Sequence, residues 1–587
     1  MIAEPLAVLT IFVPIVGAGA VAASGRASAR VRSGIAIGVA ITTAALSLLT
    51  LTVLRDHPTR IGIWIPAMGV PFDLRVDALG GFVAAIAGSV GALVVVYSRA
   101  YMREAAREGY SMARYDALVL LFIGAMVGLA LADSLLAFYI FWELIGLCSF
   151  ALIAFYHRDP NARRAGLKAF AVTRIGDIGL LVAVVALWSQ GIVTFSGLEA
   201  AGLPADVRTL AALGVLLAAV GKSAQVPLHV WLPDAMEAPT PVSALIHAAT
   251  LVNAGVYLLA RTAPAFGDLG WWPASLLWIG AASAVLGAVA ALAETDLKRV
   301  LAYSTISQLG FMVAAVGAGA ILASQFHLLS QAIFKALLFL AAGAAIQAAG
   351  TRDVFRMRGV GRGMPITSAA FLVGIAAMVG LPFANGFWSK DLLLGAVIEG
   401  GHLGAFLLLI VATLLTVGYG WRTFNLVFRG TARTPDARDP DPSMAVVLVV
   451  LAAAALTSGF LIGPYSEALA RSMPLRGIEP LPLWDAFLVT LRWPTAIVSL
   501  AVIALSAALA ARPGWSRSVR PRDGSVLAGA VGSGFGFDAA YVAFARRIGA
   551  AARAVRRTQT GDLNVNAIGL VAAVVVLLAA ILLEGLG

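Results

Sequence analysis

Cysteine and charged residues are scarce in this 587-residue sequence, which contains one cysteine and 12% charged residues. The single cysteine, Cys148, excludes an intramolecular disulfide framework. It also argues against a haem or iron–sulfur cluster held by this chain's own thiolates, because such clusters usually need several. The remainder is 60% hydrophobic, with a mean hydropathy of +0.90. This composition is typical of a membrane protein.

Apolar runs of about 20 residues recur along the whole chain, and a helix of that length crosses the roughly 30 Å hydrocarbon core of a bilayer. Counting the runs between Pro, Gly and charged residues predicts an all-α polytopic membrane protein with about sixteen transmembrane helices. The first run, from Leu6, follows an acidic start and lacks a clear cleavage site. We therefore expect it to be a spanning helix rather than a removable signal.

The positions of the basic residues matter more than the net charge of +11. Most Lys and Arg residues fall in alternate loops between the apolar runs, as the positive-inside rule requires of cytoplasmic loops. This bias predicts a multi-pass protein of the cell inner (plasma) membrane with both termini on the outer face. The lipid bilayer accounts for the basic charge, so no nucleic-acid partner is expected.

Lysine is rare, and its placement is the main functional signal. Five residues of the 42 basic ones are lysines, and Lys222, Lys335 and Lys390 lie within apolar runs. A buried lysine can give up its proton, whereas arginine stays charged at any working pH. Each ionisable group in mid-membrane costs about 3 kcal/mol on insertion scales, so acidic partners or water must offset it. Three such lysines favour proton or cation transfer.

Three carboxylates could partner these lysines. Glu143 and Asp177 lie within apolar runs, and Asp133 stands at the edge of one. The alternative to ion transfer is that each lysine only forms a structural ion pair or extends its stem to the membrane surface. In that case the chain would be a structural scaffold.

Polar residues also recur along one predicted helix. In SQFHLLSQAIFKALLFLAA, the side chains of His327, Gln331 and Lys335 are spaced i, i+4, i+8, which places them on one helix face. His247 lies one apolar run after Lys222. Histidine is the side chain whose unperturbed pKa lies nearest physiological pH, so both histidines are candidate proton-transfer residues beside the lysines.

Two apolar segments are interrupted beside a lysine. Pro227 follows Lys222, while Pro382 and Gly386 precede Lys390. Interruptions at corresponding positions of two halves are the sequence pattern of inverted-repeat transporters, in which freed backbone groups line a polar cavity. We therefore expect two inverted five-helix repeats, each containing a broken helix; ordinary proline kinks are the alternative.

This pattern predicts six regions. They are N-terminal helices in residues 1–115, a first repeat in 116–265, a second repeat in 266–430, two helices in 431–511, a cytoplasmic loop with a short amphipathic lateral helix in 512–564, and a last transmembrane helix in 565–587. Within the loop, an apolar face and several arginines predict that the amphipathic helix spans residues 537–557.

The motifs resemble the antiporter-like subunits of respiratory complex I (NADH-quinone oxidoreductase). The similarity is strongest to the distal L-type (chain 5) subunit, itself related to the large subunits of multi-subunit cation/proton antiporters. The resemblance covers residues 75–430 and rests on KAFAVTRIGDIG, GKSAQVPLHVWLPDAMEAPTPVSALIHAATLVNAGVYLLAR, ETDLKRVLAYSTISQLGFM, HLLSQAIFKALLFLAAG and GFWSKD.

The resemblance implies a proton-pumping translocase subunit that works within a membrane arm. It implies that Glu143 pairs with Lys222, that His327 and Lys335 connect the halves, that Lys390 ends the path, and that Asp177 and His247 belong to the same polar axis. It further implies that this chain holds no cofactor or metal, since flavin, iron–sulfur clusters and quinone belong to partner subunits.

Two departures from the L-type pattern leave alternatives open. Gln331 stands where L-type subunits commonly have a second histidine, and glutamine cannot carry a proton. The amphipathic helix is also much shorter than theirs. The same residues would suit a membrane-bound hydrogenase-type complex, a cation/proton antiporter or a proton-driven bicarbonate-uptake system. The transported ion is H⁺ or Na⁺.

Overall fold

The computed structural model describes most of the chain. The described residues are 3–24, 28–54, 59–62, 64–65, 70–430, 436–472, 480–482, 485, 494–510, 512, 529–530 and 534–558. The chain divides into two compact units, residues 1–521 and residues 522–587. The first unit holds all of the candidate site residues. The predicted last transmembrane helix, 565–587, lies outside the described residues.

Helices make up nearly all of the described part of the first unit. Its N-terminal part contains α1 (Ala3–Ala23), α2 (Ala29–Leu54), α3 (Ala78–Tyr101), α4 (Arg103–Arg107), α5 (Met112–Leu131), α6 (Leu135–Ile153), α7 (Pro160–Trp188), α8 (Phe195–Ala200) and α9 (Ala205–Lys222). The middle contains α10 (Trp231–Asp234), α11 (Thr240–Ala248), α12 (Leu251–Phe266), α13 (Trp271–Ala293), α14 (Leu297–Gly317) and α15 (Ile321–Ala349). The last part contains α16 (Pro365–Val379), α17 (Asn385–Glu399), α18 (Leu403–Val427), α19 (Pro442–Thr457), α20 (Ile462–Ser472) and α21 (Pro494–Ala510).

Four short strands between α2 and α3 depart from the all-α prediction. Strand β1 (Thr59–Ile61) pairs antiparallel with β4 (Leu74–Val76), and β2 (Trp64–Ile65) pairs antiparallel with β3 (Val70–Pro71). Strands of two or three residues are too short to produce a periodic sequence signal. They fold the connection between α2 and α3 back on itself.

Twelve of the described helical segments are long and apolar enough to cross a membrane, fewer than the sixteen spans predicted. The span predicted near residue 208 corresponds to α9, which is not counted because its 18 residues include the charged residues Asp206, Arg208 and Lys222. The span near residue 365 became α16, which has 15 residues, and the one near 493 became α21, which has 17. Interruption and charge therefore shorten the apolar stretches that composition alone counts as spans.

Both predicted helix interruptions are present. Helix α9 ends at Lys222, and Ala224 takes a left-handed conformation at φ 49° before Pro227. Helix α16 ends at Val379, followed by Gly380 at φ 91°. A left-handed residue cannot continue a right-handed helix, and proline lacks the N–H that would extend it. Each interruption thus leaves a lysine beside non-helical backbone.

The second interruption also contains Pro382 and the left-handed residue Phe383, with φ 71°. Gly386 lies just beyond it, as the second residue of α17. A Cβ atom on Gly386 would overlap the carbonyl oxygen of Ala377 in α16. Glycine at this position therefore allows the backbones of the two half-helices to pass closely, which fixes the start of the helix that carries Lys390.

Close packing of α7 against α9 has a similar cause. A Cβ atom on Gly214 of α9 would overlap the carbonyl oxygen of Gly179 in α7. Glycine lets these backbones approach as far as main-chain contact permits. This approach brings Asp177 of α7 to the end of α9. Around this centre, α14 and α15 are almost wholly buried, while α1, α2 and α7 expose leucine, isoleucine and valine.

The described part of the second unit contains α22 (Phe537–Thr558). Its bounds match the amphipathic helix predicted over residues 537–557. At 1.5 Å of rise per residue, its 22 residues extend about 33 Å.

Candidate functional site

Lys222, the last residue of α9, is completely buried and forms an ion pair with Asp177 of α7. Its Nζ atom lies 3.1 Å from Asp177 Oδ1 and 4.9 Å from the centre of the Trp142 ring. Trp142 Nε1 also donates to Asp177 Oδ1, at 2.5 Å. The ammonium group is therefore held by one carboxylate and one aromatic face.

Glu143 does not form the direct contact with Lys222 that the resemblance implied. Its Oε2 atom accepts a hydrogen bond from Arg174, and Arg174 Nε lies 3.8 Å from Asp177 Oδ2. The arginine occupies the position between the two carboxylates, so the cluster runs Glu143, Arg174, Asp177, Lys222. Glu143 is the more exposed end, with 22% of its side chain accessible against 1% for Asp177. Asp177 Oδ2 accepts no hydrogen bond from a described residue.

Lys335 lies in the middle of α15 with no exposed surface. Its Nζ atom donates to the hydroxyl of Ser304 on α14 and lies 3.5 Å from the sulfur of Met378 on α16. It forms no ion pair with any described residue. Among the described residues, its charge is therefore balanced by neutral dipoles and not by a carboxylate.

Lys390 sits on α17 beside a hydrogen-bonded relay. His327 Nδ1 lies 2.9 Å from the hydroxyl oxygen of Ser389, and His327 Nε2 lies 3.1 Å from Gln308 Oε1. Lys390 Nζ has no hydrogen-bond or ion-pair partner among the described residues and lies 4.9 Å from the centre of the Phe311 ring. The relay therefore joins α14, α15 and α17 next to a second poorly compensated ammonium group.

Gln331 connects the same helix face to the first half of the chain. Its Nε2 atom donates to Asn253 Oδ1 on α12, at 3.2 Å, and Asn253 Nδ2 donates to the carbonyl of Ala248 at the end of α11. His247 precedes that carbonyl and packs its ring on Phe339 of α15, with centroids 4.6 Å apart. Both ring nitrogens of His247 lack a hydrogen-bond partner among the described residues. The end of α11 and the start of α12 thus place two polar side chains, His247 and Asn253, beside α15.

The structure assembles the predicted residues into two clusters. Lys222 and Asp177 form the first, with Glu143 attached through Arg174. The second follows α15 from His327 through Gln331 to Lys335, with Lys390 beside its His327 end and His247 on its flank. No hydrogen bond or ion pair between described residues joins the two clusters directly.

Several residues of these clusters were not chosen from the sequence: Trp142, Arg174, Asn253, Ser304, Gln308 and Ser389. A signal existed for two of them. Ser304 and Gln308 are spaced i, i+4 within an otherwise apolar helix, which is the pattern that identified the α15 residues. The others are single polar residues without periodicity.

Asp133, the third carboxylate considered from the sequence, has a structural role. Its two oxygens accept hydrogen bonds from the backbone N–H and the hydroxyl of Ser196 at the start of α8. Another buried network joins Asp77, just before α3, to Arg75 and to Arg261 of α12, with Arg75 Nε 2.8 Å from Asp77 Oδ2. Arg75 also binds Glu199 at 2.7 Å. These contacts fix the connection between α2 and α3 rather than the lysines.

Among the residues that the structure describes, no group of three or more His, Cys, Asp or Glu is placed to hold a metal ion. The polar side chains of the clusters are amines, amides, imidazoles, hydroxyls, one guanidinium group and the two carboxylates of Glu143 and Asp177, distributed along several helices. Such groups exchange protons or hydrogen-bond water; they do not converge on one point as metal ligands must.

Comparison with known proteins shows which sequences this chain resembles. Residues 132–416 match the family model described as NADH:quinone oxidoreductase/Mrp antiporter, transmembrane. NADH-quinone oxidoreductase subunit L of Escherichia coli (strain K12) is 38% identical over 520 residues, covering 85% of this chain and 82% of that protein. NAD(P)H-quinone oxidoreductase chain 5 of Synechocystis sp. is 42% identical over 384 residues, and the chain spans 56% of its length.

Solved structures agree with the fold. A chain in the structure of the Mrp complex from Dietzia sp. DQ12-45-1b superposes with a TM-score of 0.83 and 29% identity, covering 98% of this chain and 63% of that one. A chain of the membrane-bound sulfane sulfur reductase, an archaeal respiratory membrane complex, has a TM-score of 0.70 at 24% identity. The second likeness concerns the fold alone.

The helical bundle with its two interruptions and buried lysines is therefore a multi-pass membrane protein of the antiporter-like class. The chain belongs to the family of L-type (chain 5) subunits of NADH-quinone oxidoreductase, which is related to the Mrp antiporters. Members of this family are subunits of multi-subunit complexes.

Proposed function

We propose that this chain translocates protons as a membrane-arm subunit of a complex I-type NADH:quinone oxidoreductase. The observation that carries the proposal is that Lys335 and Lys390 are buried on neighbouring helices without any ion-pair partner among the described residues. A structural lysine in such a position would be expected to have a carboxylate beside it. A lysine that alternates between its charged and neutral forms needs a buried site in which no carboxylate holds it permanently charged, which is the environment of Lys335 and Lys390.

The proposed path begins at Glu143 and the Lys222–Asp177 pair, where α9 is interrupted. It continues past His247 of α11 to Lys335 and then follows α15 through Gln331 to His327. It ends at Lys390, where α16 and α17 are separated. Gln331 serves by hydrogen-bonding, since an amide cannot carry the proton. Because unit charges interact strongly across a low-dielectric interior, protonation of one lysine changes the proton affinity of the next, and the groups titrate as a set.

The finer architecture is part of the proposal. Interruptions at residues 223–227 and 380–384 support two inverted five-helix repeats, in residues 116–265 and 266–430, within about sixteen spans. The alternation of basic loops supports an orientation with both termini outside and the inner (plasma) membrane as location. NADH and quinone, which the name of the E. coli relative mentions, would be handled by partner subunits, and flavin and iron–sulfur clusters would belong to those subunits as well.

A second candidate function is ion transport in an Mrp-like cation/proton antiporter or in a hydrogenase-type or bicarbonate-uptake assembly. It is favoured by the Dietzia Mrp chain, which covers 98% of this one. The amphipathic helix α22 also reaches only about 33 Å. In this candidate function the same lysines would carry H⁺ or exchange it for Na⁺, driven by a gradient instead of by electron transfer.

The two candidates differ in their assemblies, which native electrophoresis can separate. The tagged protein is extracted gently from its own membrane, stained for NADH oxidation, and the band is identified by mass spectrometry. A large band that oxidises NADH and contains flavin and iron–sulfur subunits is the result expected for a complex I-type role. A small redox-inactive band with one or two partners would contradict it and favour the second candidate.

A further inference from the structure

A basic cavity lies away from the lysine clusters, at the end of the bundle where α2 begins, α3 ends and α5 begins. Its volume is about 330 Å³, and its lining includes four arginines, Arg30, Arg32, Arg99 and Arg103. Four guanidinium groups around one cavity repel one another unless anions balance them. Comparing these arginines with the carboxylates near them therefore indicates whether the cavity can bind an anion.

The carboxylates near the cavity neutralise only two of the four arginines. Arg99 binds Asp116 at 2.5 Å, and the exposed Arg103 binds Asp441 at 2.9 Å. Arg30 and Arg32 form no ion pair with a described residue, and the buried Nε atom of Arg32 has no hydrogen-bond partner. Arg30 and Arg32 thus have no carboxylate of a described residue at ion-pair distance, and Asp116, the acidic side chain in the lining, already binds Arg99.

The lining is mixed rather than wholly polar. Met102, Ala106 and Met112 contribute apolar surface, beside the arginines and the polar side chains of Ser33, Ser98, Tyr115 and Asp116. Inorganic phosphate gains nothing from methionine side chains, whereas the glycerol and first acyl carbons of a lipid gain by burying apolar surface. Guanidinium groups are the side chains best suited to bind phosphate oxygens, since each can donate two parallel hydrogen bonds.

Position agrees with this chemistry. The cavity lies at the end of the bundle that carries the basic loops, the side that the charge bias assigns to the cytoplasm. The cytoplasmic leaflet carries anionic lipids, and basic pockets between transmembrane helices on that side suit their headgroups. We propose that this cavity is a phosphate-binding site that holds the headgroup of an anionic glycerophospholipid through Arg30 and Arg32.

The test uses the full chain in detergent, titrated with dioleoylphosphatidylglycerol and, separately, with the zwitterionic dioleoylphosphatidylcholine, with bound lipid counted by native mass spectrometry. The variant is Arg30→Gln/Arg32→Gln. The matched control, Arg107→Gln/Arg163→Gln, removes two exposed arginines that do not line the cavity. Inorganic phosphate is added as a competitor in a parallel series. Elution volume and helical circular dichroism verify that each variant is folded.

We expect phosphatidylglycerol to bind the natural protein more tightly than phosphatidylcholine, and the Arg30/Arg32 variant to bind phosphatidylglycerol at least about tenfold more weakly. The control variant should keep its affinity. If millimolar phosphate displaces the lipid from the natural protein, the site recognises phosphate from either source; if it does not, the lipid is the specific ligand. Equal affinity in the natural protein and the Arg30/Arg32 variant, or equal loss in both variants, would overturn the proposal. The single variant Arg30→Gln, at an exposed position, should give part of the loss and guards against a folding defect.

Discussion

The ammonium group of Lys222 lies 3.1 Å from the Asp177 carboxylate, and neither side chain is more than 1% exposed. Removing two charges from water costs free energy that offsets much of their mutual attraction. The presence of a buried ion pair is therefore weak evidence that its role is only to stabilise the fold. Lys222 is the last residue of α9, so its ionisable ammonium group lies beside the non-helical backbone of the interruption. The stability of the pair and its transport role can be separated by experiment.

Removing one partner of this pair should cost more than removing both. Lys222→Met leaves Asp177 charged and buried, which we expect to lower the free energy of unfolding by about 3 kcal/mol, at the low end for such changes because Trp142 and Arg174 still stabilise the carboxylate. Lys222→Met/Asp177→Asn should recover most of that loss. Thermal unfolding in detergent measures both. Additive losses in the double variant would show that the pair is not coupled.

Packing between α7 and α9 should tolerate no added side chain at Gly214. Gly214→Ala forces its Cβ against the carbonyl of Gly179, so we expect a loss of about 1–3 kcal/mol in unfolding free energy. Gly19→Ala on α1 is the control, because a Cβ there meets nothing within 4 Å and alanine favours the helix. Thermal unfolding of the two variants compares them. A melting temperature for Gly214→Ala equal to that of Gly19→Ala would contradict the close approach.

Arginine should fail to replace lysine where the proton must leave. Lys390→Arg keeps a positive charge but holds its proton at every working pH, so we expect ion translocation to fall by about tenfold or more with the chain still assembled. The control is Lys168→Arg, where a partly exposed ion pair with Asp234 can be kept by either residue. Fluorescence quenching of a pH-sensitive dye in membrane vesicles measures the rate. Normal rates in Lys390→Arg would exclude proton release at this position.

Stability should depend on pH through Asp441, the residue that caps α19. Hydrogen bonds from the hydroxyl and then the backbone N–H of Ser443, with a smaller contribution from Arg103, hold the Asp441 pKa below its usual value. A carboxylate with a lowered pKa stabilises the fold above its unfolded value of about 3.9 and loses that contribution as pH falls through the folded value. The melting temperature of the natural protein should therefore exceed that of Asp441→Asn at pH 7. The difference should shrink below about pH 4; a difference that stays constant down to pH 3 would refute the assignment.

Local chemistry explains what could be predicted from the sequence. Pro227 and Pro382 predicted the helix interruptions because proline lacks an N–H whatever surrounds it. The His327–Gln331–Lys335 face followed from the helical period alone. Each of these predictions needs only neighbouring residues, and the structure confirms the interruptions and the shared helix face.

Contacts between distant helices could not be predicted in the same way. The residues alone left several carboxylates open as partners of Lys222, and the resemblance favoured Glu143, whereas the structure pairs Lys222 with Asp177. The choice depends on Arg174, which binds Glu143, and on the glycines that bring α7 to α9. The link from Gln331 to Asn253 likewise joins residues 78 positions apart. Such distances depend on how helices pack, and a single sequence does not state them.

The most direct test of the central claim is proton translocation by Lys335→Met. Lys335 has no ion-pair partner among the described residues, so its removal leaves no buried carboxylate unpaired and should not impair assembly. Membrane vesicles containing the natural or the variant chain are energised through the assembly that native electrophoresis identifies, and dye quenching is compared at equal chain content. The account predicts that translocation falls by about tenfold or more in the variant. Translocation at the natural rate, with the chain fully assembled, would mean that the buried lysines are structural.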